Sequence, residues 1–311
     1  MTMLLAILLI GSFPVSQPYR PDRDGASTTV AVQVVDTQGT PIQDAKVFFR
    51  VFTTLDKCYK LLRDTDANGF CEITGKTRGE ITVVVDREGY YTSYGNLAYR
   101  DLSWEDAVAE RKWTRGVVTN KVVMKQVVAP RKMLVKGMRF KKPPKINAPL
   151  PFDVAAFDWV DAGCRGHKAD FDVVYYEMTN EANRVRTGLK LTATNCVDGF
   201  MLKKVDEWSR FRYDLSADAK GAYVKEIKMG WIPDQDGGTA YHSEIDRDCY
   251  LIFRLRTATN ECGKIMHSNY GLLFEGIDYH GGLSLGAKFN PEDNDTSLED
   301  DWAYRNMKKG R

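Results

Sequence analysis

VQVVDTQGTPIQDAKV, residues 32–47, decides how the first third of the chain reads. TTVAVQVVD (28–36) alternates and is rich in Val, which predicts a strand, and AKVFFRVFT (45–53) predicts a second. TQGTPI between them has the Gly and Pro of a turn.

Working outward, residues 58–63, 70–73, 81–86 and 122–128 read as further strands. Ser103, with Asp106 three residues on, is an N-cap that starts one helix in WEDAVAERKW. DTDANG (64–69) has the pattern D-x-D-x-N-G, the front half of a calcium loop. Such a loop needs a bidentate Glu at its twelfth position and a helix on each side, yet the twelfth residue from Asp64 is Gly75 and the flanks are strands. The stretch therefore reads as a turn, with Asp and Asn accepting backbone N–H groups and Gly69 supplying a positive φ. Short strands at regular spacing with Gly, Asn and Asp turns indicate a β-sandwich.

The run D-T-Q-G-T-P-I-Q-D-A-K-V, followed by T-D-A-N-G-F and V-V-V-D-R-E-G-Y-Y in that order, resembles the carboxypeptidase regulatory-like family, a transthyretin-like sandwich. The resemblance covers residues 28–128 and implies a non-catalytic module that rides beside another domain. Two cysteines around the turn and the helix near Trp104 depart from the family pattern.

The 311 residues suffice for two domains, and 43% apolar residues suffice for real cores. Net charge is +2, from 44 basic and 42 acidic residues, which gives no general case for nucleic acid. MTMLLAILLIGSFPVSQ carries a short apolar run and then small residues, so residues 1–16 read as a signal peptide, although no basic residue precedes the run. This predicts an exported chain, periplasmic or extracellular, with no membrane span once the signal is removed. Six cysteines suit such a compartment: Cys58, Cys71, Cys164, Cys196, Cys249 and Cys262. Cys58 with Cys71 and Cys164 with Cys196 are the expected disulfides, while Cys249 and Cys262 are left open.

RKMLVKGMRFKKPPK (131–145) holds seven basic residues and no acidic one. It reads as an extended, Pro-containing linker or crossover strand over residues 129–149, with a sharper reading as a polyanion-binding strip. Residues 292–301 hold six carboxylates and offer an intramolecular dock for it. Hairpins are expected at 169–178 with 187–195, and at 250–257 with 265–275, so residues 150–305 read as a second antiparallel β domain ahead of a basic tail at 306–311. DWVDAG…HKADF and KFNPEDNDTSLE resemble the C-terminal halves of secreted bacterial proteins with no assigned activity.

Catalytic patterns fail on context. Gly282-Leu283-Ser284-Leu285-Gly286 matches G-x-S-x-G, but no helix start follows and the last histidine, His280, precedes Ser284. His167, His242, His267 and His280 show no zinc spacing, and a His167–Asp170 pair on a strand would point to opposite faces. No Gly-rich phosphate loop joins a strand to a helix. The sequence thus names no catalytic residue, cofactor or metal ligand.

What remains is a Gly-rich loop around which Asp234, Asp236, Glu244 and Asp246 crowd, near Trp231 and Tyr241. Its aromatics suit stacking on sugar rings, so Trp231, Tyr241, Asp234 and Asp236 are the expected ligand-binding residues. The sequence therefore predicts a mainly β, exported, non-catalytic binding or structural protein, with carbohydrate or a surface protein as partner. Its competitors are a glycoside hydrolase using carboxylates of the 234–246 loop and a polyanion binder using the 131–145 strip.

Overall fold

Alternation in the first third of the chain produces the strands it predicts, in a computed structural model that describes residues 18–53, 57–139, 143–180, 182–205, 214–234, 236, 238–242, 249–273 and 277–301. The expected signal peptide and basic tail lie outside these residues, as do Glu244 and Asp246. The chain is mainly β, with antiparallel sheets in each of two units. The first unit is Met1–Asp86 with Tyr94–Val122; the second is Arg87–Ser93 with Val123–Arg311.

In the first unit, a one-turn helix α1 (Pro21–Asp24) precedes β1 (Ala26–Val35), β2 (Lys46–Phe52), β3 (Cys58–Asp64), β4 (Phe70–Thr77), β5 (Ile81–Asp86), β6 (Ser93–Asn96), α2 (Trp104–Glu110) and β7 (Lys112–Val123). Two sheets form, in the orders β4-β1-β7 and β3-β2-β5-β6. Val47, Phe49 and Val51 on β2 alternate with exposed residues and are fully buried, as are Val30, Val32 and Val34 on β1. Ser103 caps α2 through a bond from Asp106 N–H at 3.1 Å, and Arg111 in the left-handed conformation ends it. Trp113, just beyond, is buried against Tyr99 and donates its indole N–H to the Thr77 carbonyl.

The two turns of this unit interlock. Asp36 accepts from the N–H groups of Gln38 and Thr40, and Asp66 does the same for Asn68 and Phe70. Buried Thr65 donates to the Ile42 carbonyl at 2.6 Å and accepts from Ala45 N–H at 2.9 Å. The P-I-x-x-A and D-x-D-x-N-G stretches are thus two halves of one hydrogen-bonded corner. DTDANG is a turn, but it carries the chain from one sheet to the other and closes no hairpin.

That geometry separates Cys58 from Cys71. Cys58 lies at the far end of β3, six residues before Asp64, or about 20 Å along a strand. Cys71 sits just past the turn, buried on β4, with its thiol pushed up to about 12 by burial. Cys164 and Cys196 also stay apart. The chain after Trp159 folds back, Gly166 N–H bonding the Trp159 carbonyl, which sets Cys164 against the core, while Cys196 faces solvent. Cys58, Cys71, Cys164 and Cys196 are free thiols, so neither expected disulfide forms.

The second unit holds β8 (Leu134–Arg139), β9 (Leu150–Asp153), β10 (Asp158–Trp159), β11 (Phe171–Thr179), β12 (Val185–Ala193), β13 (Gly199–Lys204), β14 (Glu226–Pro233), β15 (Thr239–His242), β16 (Cys249–Thr259), β17 (Ile265–Leu273) and β18 (Ser284–Phe289). They make a six-stranded sheet, β10-β9-β11-β12-β14-β15, and a five-stranded one, β13-β16-β17-β18-β8. The core between them contains Phe152, Phe171, Leu189 and Leu191 from the first sheet and Leu251, Phe253, Leu255 and Phe289 from the second. The far face of the five-stranded sheet, Tyr250, Ile252, Tyr270 and Leu272, is covered by Tyr91, Ala217 and Leu298. Burial on both faces explains the unbroken apolar run YLIF in β16.

Both expected hairpins are present, as β11–β12 and β16–β17. Leu134–Arg139, inside the basic stretch, is an edge strand paired with β18. The G-L-S-L-G match is the start of β18, so it has no elbow geometry. The acidic stretch does dock the start of the basic one: Arg131 reaches Asp295 at 2.7 Å, and Glu299 accepts the N–H groups of Val128 and Ala129. No helix among the described residues is long and apolar enough to cross a membrane.

Gly39 and Gly69 both have φ near 80°, at 84° and 73°. A Cβ on Gly39 meets nothing within 4 Å, whereas one on Gly69 overlaps the Val34 carbonyl. Gly39→Ala is therefore expected to cost about 1 kcal/mol, the left-handed strain alone. Gly69→Ala is expected to cost roughly 3 kcal/mol, strain plus steric displacement. Urea denaturation of the two variants checks the difference.

Candidate functional site

The aromatic pair singled out in the sequence sits at one edge of the six-stranded sheet. Trp231 on β14 and Tyr241 on β15 are directly opposite in register. Their ring centroids lie 5.2 Å apart at an interplanar angle of 59°. Tyr241 is 53% exposed and Trp231 half-buried.

Gly230 puts Trp231 on the outer face. Ile227 and Met229 pack on the core, then Gly230, at φ 73°, shifts the alternation, so Trp231 turns out and Ile232 is buried. On β12, Leu189 and Leu191 face the core, which places Arg186, Gly188, Lys190 and Thr192 outward. The Arg186 guanidinium carbon lies 3.8 Å over the Trp231 ring centre. Gly188 is required here, because a Cβ would run into the Trp231 backbone. Across Gly188 stands Tyr176 of β11, also on the outward alternation. The result is a strip of aromatic side chains with a glycine floor and a guanidinium stacked on one ring.

The acids beside it have other tasks. Asp234 Oδ1 accepts from Asp236 N–H at 3.1 Å and Gly238 N–H at 2.6 Å, which builds the β14–β15 turn. Asp236 is exposed within that turn. The sequence-expected residues are thus brought together as two pairs: stacked Trp231 with Tyr241, and Asp234 holding Asp236. Further along the face, Glu226 lies 3.5 Å from Lys190 and 3.0 Å from Lys228. Burial would raise its pKa, but the two ammonium groups hold it below the ordinary carboxylate range.

Sequence reading missed Arg186, which contacts Trp231 from a different hairpin. It also missed a buried ion cluster around Arg256. Arg256 Nε and Nη2 donate to both oxygens of Asp170, at 2.8 and 2.9 Å, and Nη2 reaches Asp153 at 3.0 Å. Asp153 also accepts the N–H groups of Ala155, Ala156, His167 and Lys168. The H-K-A-D stretch is therefore a clamp on Asp153. Burial pushes the Asp153 pKa up, and these donors with the Arg256 charge outweigh it, leaving the group below its usual value. A carboxylate held below its usual range, as Asp153 is, makes a poor general acid. Of the basic stretch, Arg131, Lys136 and Lys145 have internal partners: Asp295, the Ala155 and Ala156 carbonyls, and Asp161. Among the described residues no group of three or more His, Cys, Asp or Glu is placed to hold a metal ion.

No family model and no curated protein matches the chain. Among solved structures, 3-chlorocatechol 1,2-dioxygenase from Rhodococcus opacus 1CP aligns at 17% identity and TM-score 0.26, over 35% of this chain and 64% of that one. The chain thus spans less than two thirds of that enzyme's length. A DUF3823 family protein from Parabacteroides merdae aligns at 8% identity and TM-score 0.23, over 86% of this chain and 98% of that one. BcpA, the major pilin subunit of Bacillus cereus, aligns at 12% identity and TM-score 0.24, over 85% of this chain and 96% of that one. At these TM-scores the likenesses carry no weight for activity or partner.

The ion cluster sets an acid limit. With its folded pKa depressed, Asp153 contributes stability that is fully present above its unfolded value of about 3.9 and lost as pH falls through the lower folded value. Asp153→Asn should flatten the loss of urea stability between about pH 5 and pH 2. Asp170→Ala removes two of the three charge-assisted bonds to Arg256 and leaves Asp153 as its partner, and is expected to cost about 2–3 kcal/mol at neutral pH by the same assay.

Proposed function

We propose that this chain is an exported, non-catalytic binding protein whose second unit presents the Tyr176–Gly188–Trp231–Tyr241 strip to carbohydrate. The carrying observation is the Arg186–Trp231–Tyr241 stack on an outward sheet face. Sugar rings present C–H faces that pack on aromatic rings, and their hydroxyls accept from a guanidinium. Arg186 already covers one face of Trp231, so the half-exposed Tyr241 offers the stacking surface, with Trp231 fixing its position. Asp234 and Asp236 shape the rim of the strip through the turn they form. The first unit is read as a carboxypeptidase regulatory-like sandwich, on its D-x-x-G-x-P-I-x-x-A corner and the interlocking T-D-A-N-G-F turn, and as such takes no part in catalysis.

A glycan array probed with the folded chain tests the proposal. Binding is expected, with Tyr241→Ala and Trp231→Ala each weakening it at least about tenfold, the loss of one stacking contact. Their circular dichroism should be unchanged. An array that stays blank across pH and salt, or binding that survives both substitutions, overturns the reading.

A further inference from the structure

Charge on the outward face of the six-stranded sheet is matched in one place and unmatched in another. Lys190 and Lys228 share Glu226. The Arg186 guanidinium has no such partner: among the described residues it makes no hydrogen bond and no ion pair. The side chain of Arg184, two residues before it at the hairpin end, is exposed and equally unpaired. The acids of this face stand away from Arg186. Asp172 is in register with Thr192, six residues along β12, or about 20 Å. Asp234 lies three residues beyond Trp231, about 10 Å along the strand, and turns its Oδ1 to the N–H groups of its own turn.

What Arg186 uses is its face. Its guanidinium carbon is 3.8 Å over the Trp231 ring centre. Edge-on, a guanidinium at that distance would drive a nitrogen into the ring, so it lies flat. A flat cation–π contact leaves the N–H groups, which lie in the guanidinium plane, directed sideways around the stack. They form a rigid fork that fits the two oxygens of a carboxylate. The indole beneath fixes where that fork points.

We propose that the sugar taken by this strip is a uronic acid, a pyranose that carries a carboxylate on its ring, within an acidic polysaccharide. The inference rests on the carbohydrate reading of the same strip. Separations of 5.2 Å between the two rings and 3.8 Å from ring to guanidinium put Tyr241 and Arg186 within the length of a disaccharide. One sugar stacks on Tyr241 while the carboxylate of its neighbour meets the Arg186 fork. A neutral sugar offers hydroxyls at that place; a carboxylate makes charge-assisted bonds roughly twice as strong.

Calorimetric titration of the full chain with short oligomers of galacturonate, glucuronate and mannuronate, each beside its carboxyl-reduced neutral counterpart, tests this. At least one uronate oligomer is expected to bind about tenfold more tightly than its neutral counterpart. That margin should shrink as salt rises and vanish when the carboxylates are methyl-esterified. Arg186→Gln should erase the margin and leave affinity for the neutral oligomer within about twofold, since the Tyr241 stacking surface remains. Arg186→Lys, which keeps the charge without the fork, should recover only part of it. The ester comparison needs no variant, so it decides even where a substitution harms folding. Equal binding of uronate and neutral oligomers, or a margin that survives esterification or Arg186→Gln, overturns this proposal and leaves the carbohydrate reading standing. No binding by either set overturns both.

Discussion

The second unit depends on the Arg256 guanidinium. It projects from β16 in the five-stranded sheet and holds carboxylates at the end of β9 and the start of β11 in the six-stranded sheet. Simple alternation would aim Arg256 at the opposite face, beside Arg254, which lies over Tyr223. A register shift after Leu255 and a φ of 57° at Arg256 turn the side chain inward instead. Positive φ on a non-glycine residue is costly and persists only where surrounding contacts hold it. Here they are two short charge-assisted bonds to Asp170, one to Asp153, and Phe289 beneath the guanidinium. Asp153 and Asp170 in turn accept N–H groups from loops with no ladder partners, so one cation organises residues 153–170.

This anchoring lets the opposite face of the six-stranded sheet carry the aromatic strip. β11 and β12 are held by the core on one side, so the outward residues of β12 sit on a fixed base. The Gly188–Gly230 pair brings β12 and β14 close together, and a side chain at either glycine would push them apart. Arg186 and Trp231 meet across that gap. The strip follows from backbone proximity as much as from the aromatics themselves.

What could be read from the sequence follows from how local each cause is. β5 was legible to the residue because ITVVVD alternates strictly and is bounded by turns. The Ser103 cap and the Asp66 turn were legible because their donors lie within four residues. β7 was read only at its end, since KWTRGVVTNKVV is exposed at half of its positions and shows little alternation. The Arg256 cluster could not be read, because its partners lie 86 and 103 residues away. The disulfides failed for a related reason: sequence distance placed Cys58 near Cys71, while the chain between them changes sheets.

The recurring turn chemistry bears on whether the loop acids could be catalytic. Asp36, Asp66, Asn180, Asp234 and Asn260 each accept, through one side-chain oxygen, the N–H groups two and four residues on. Three places on, Gly39, Gly69, Asn183 and Gly263 are left-handed after Asp36, Asp66, Asn180 and Asn260. Asp and Asn interchange freely in this role. The position therefore needs an acceptor oxygen held near two amides, and neither a charge nor a titratable proton. Asp234 does at its turn what the neutral Asn180 does at the β11–β12 turn. A carboxylate whose oxygen can be replaced by an amide oxygen in the same geometry is structural, and counting acids in such loops overstates the case for hydrolysis.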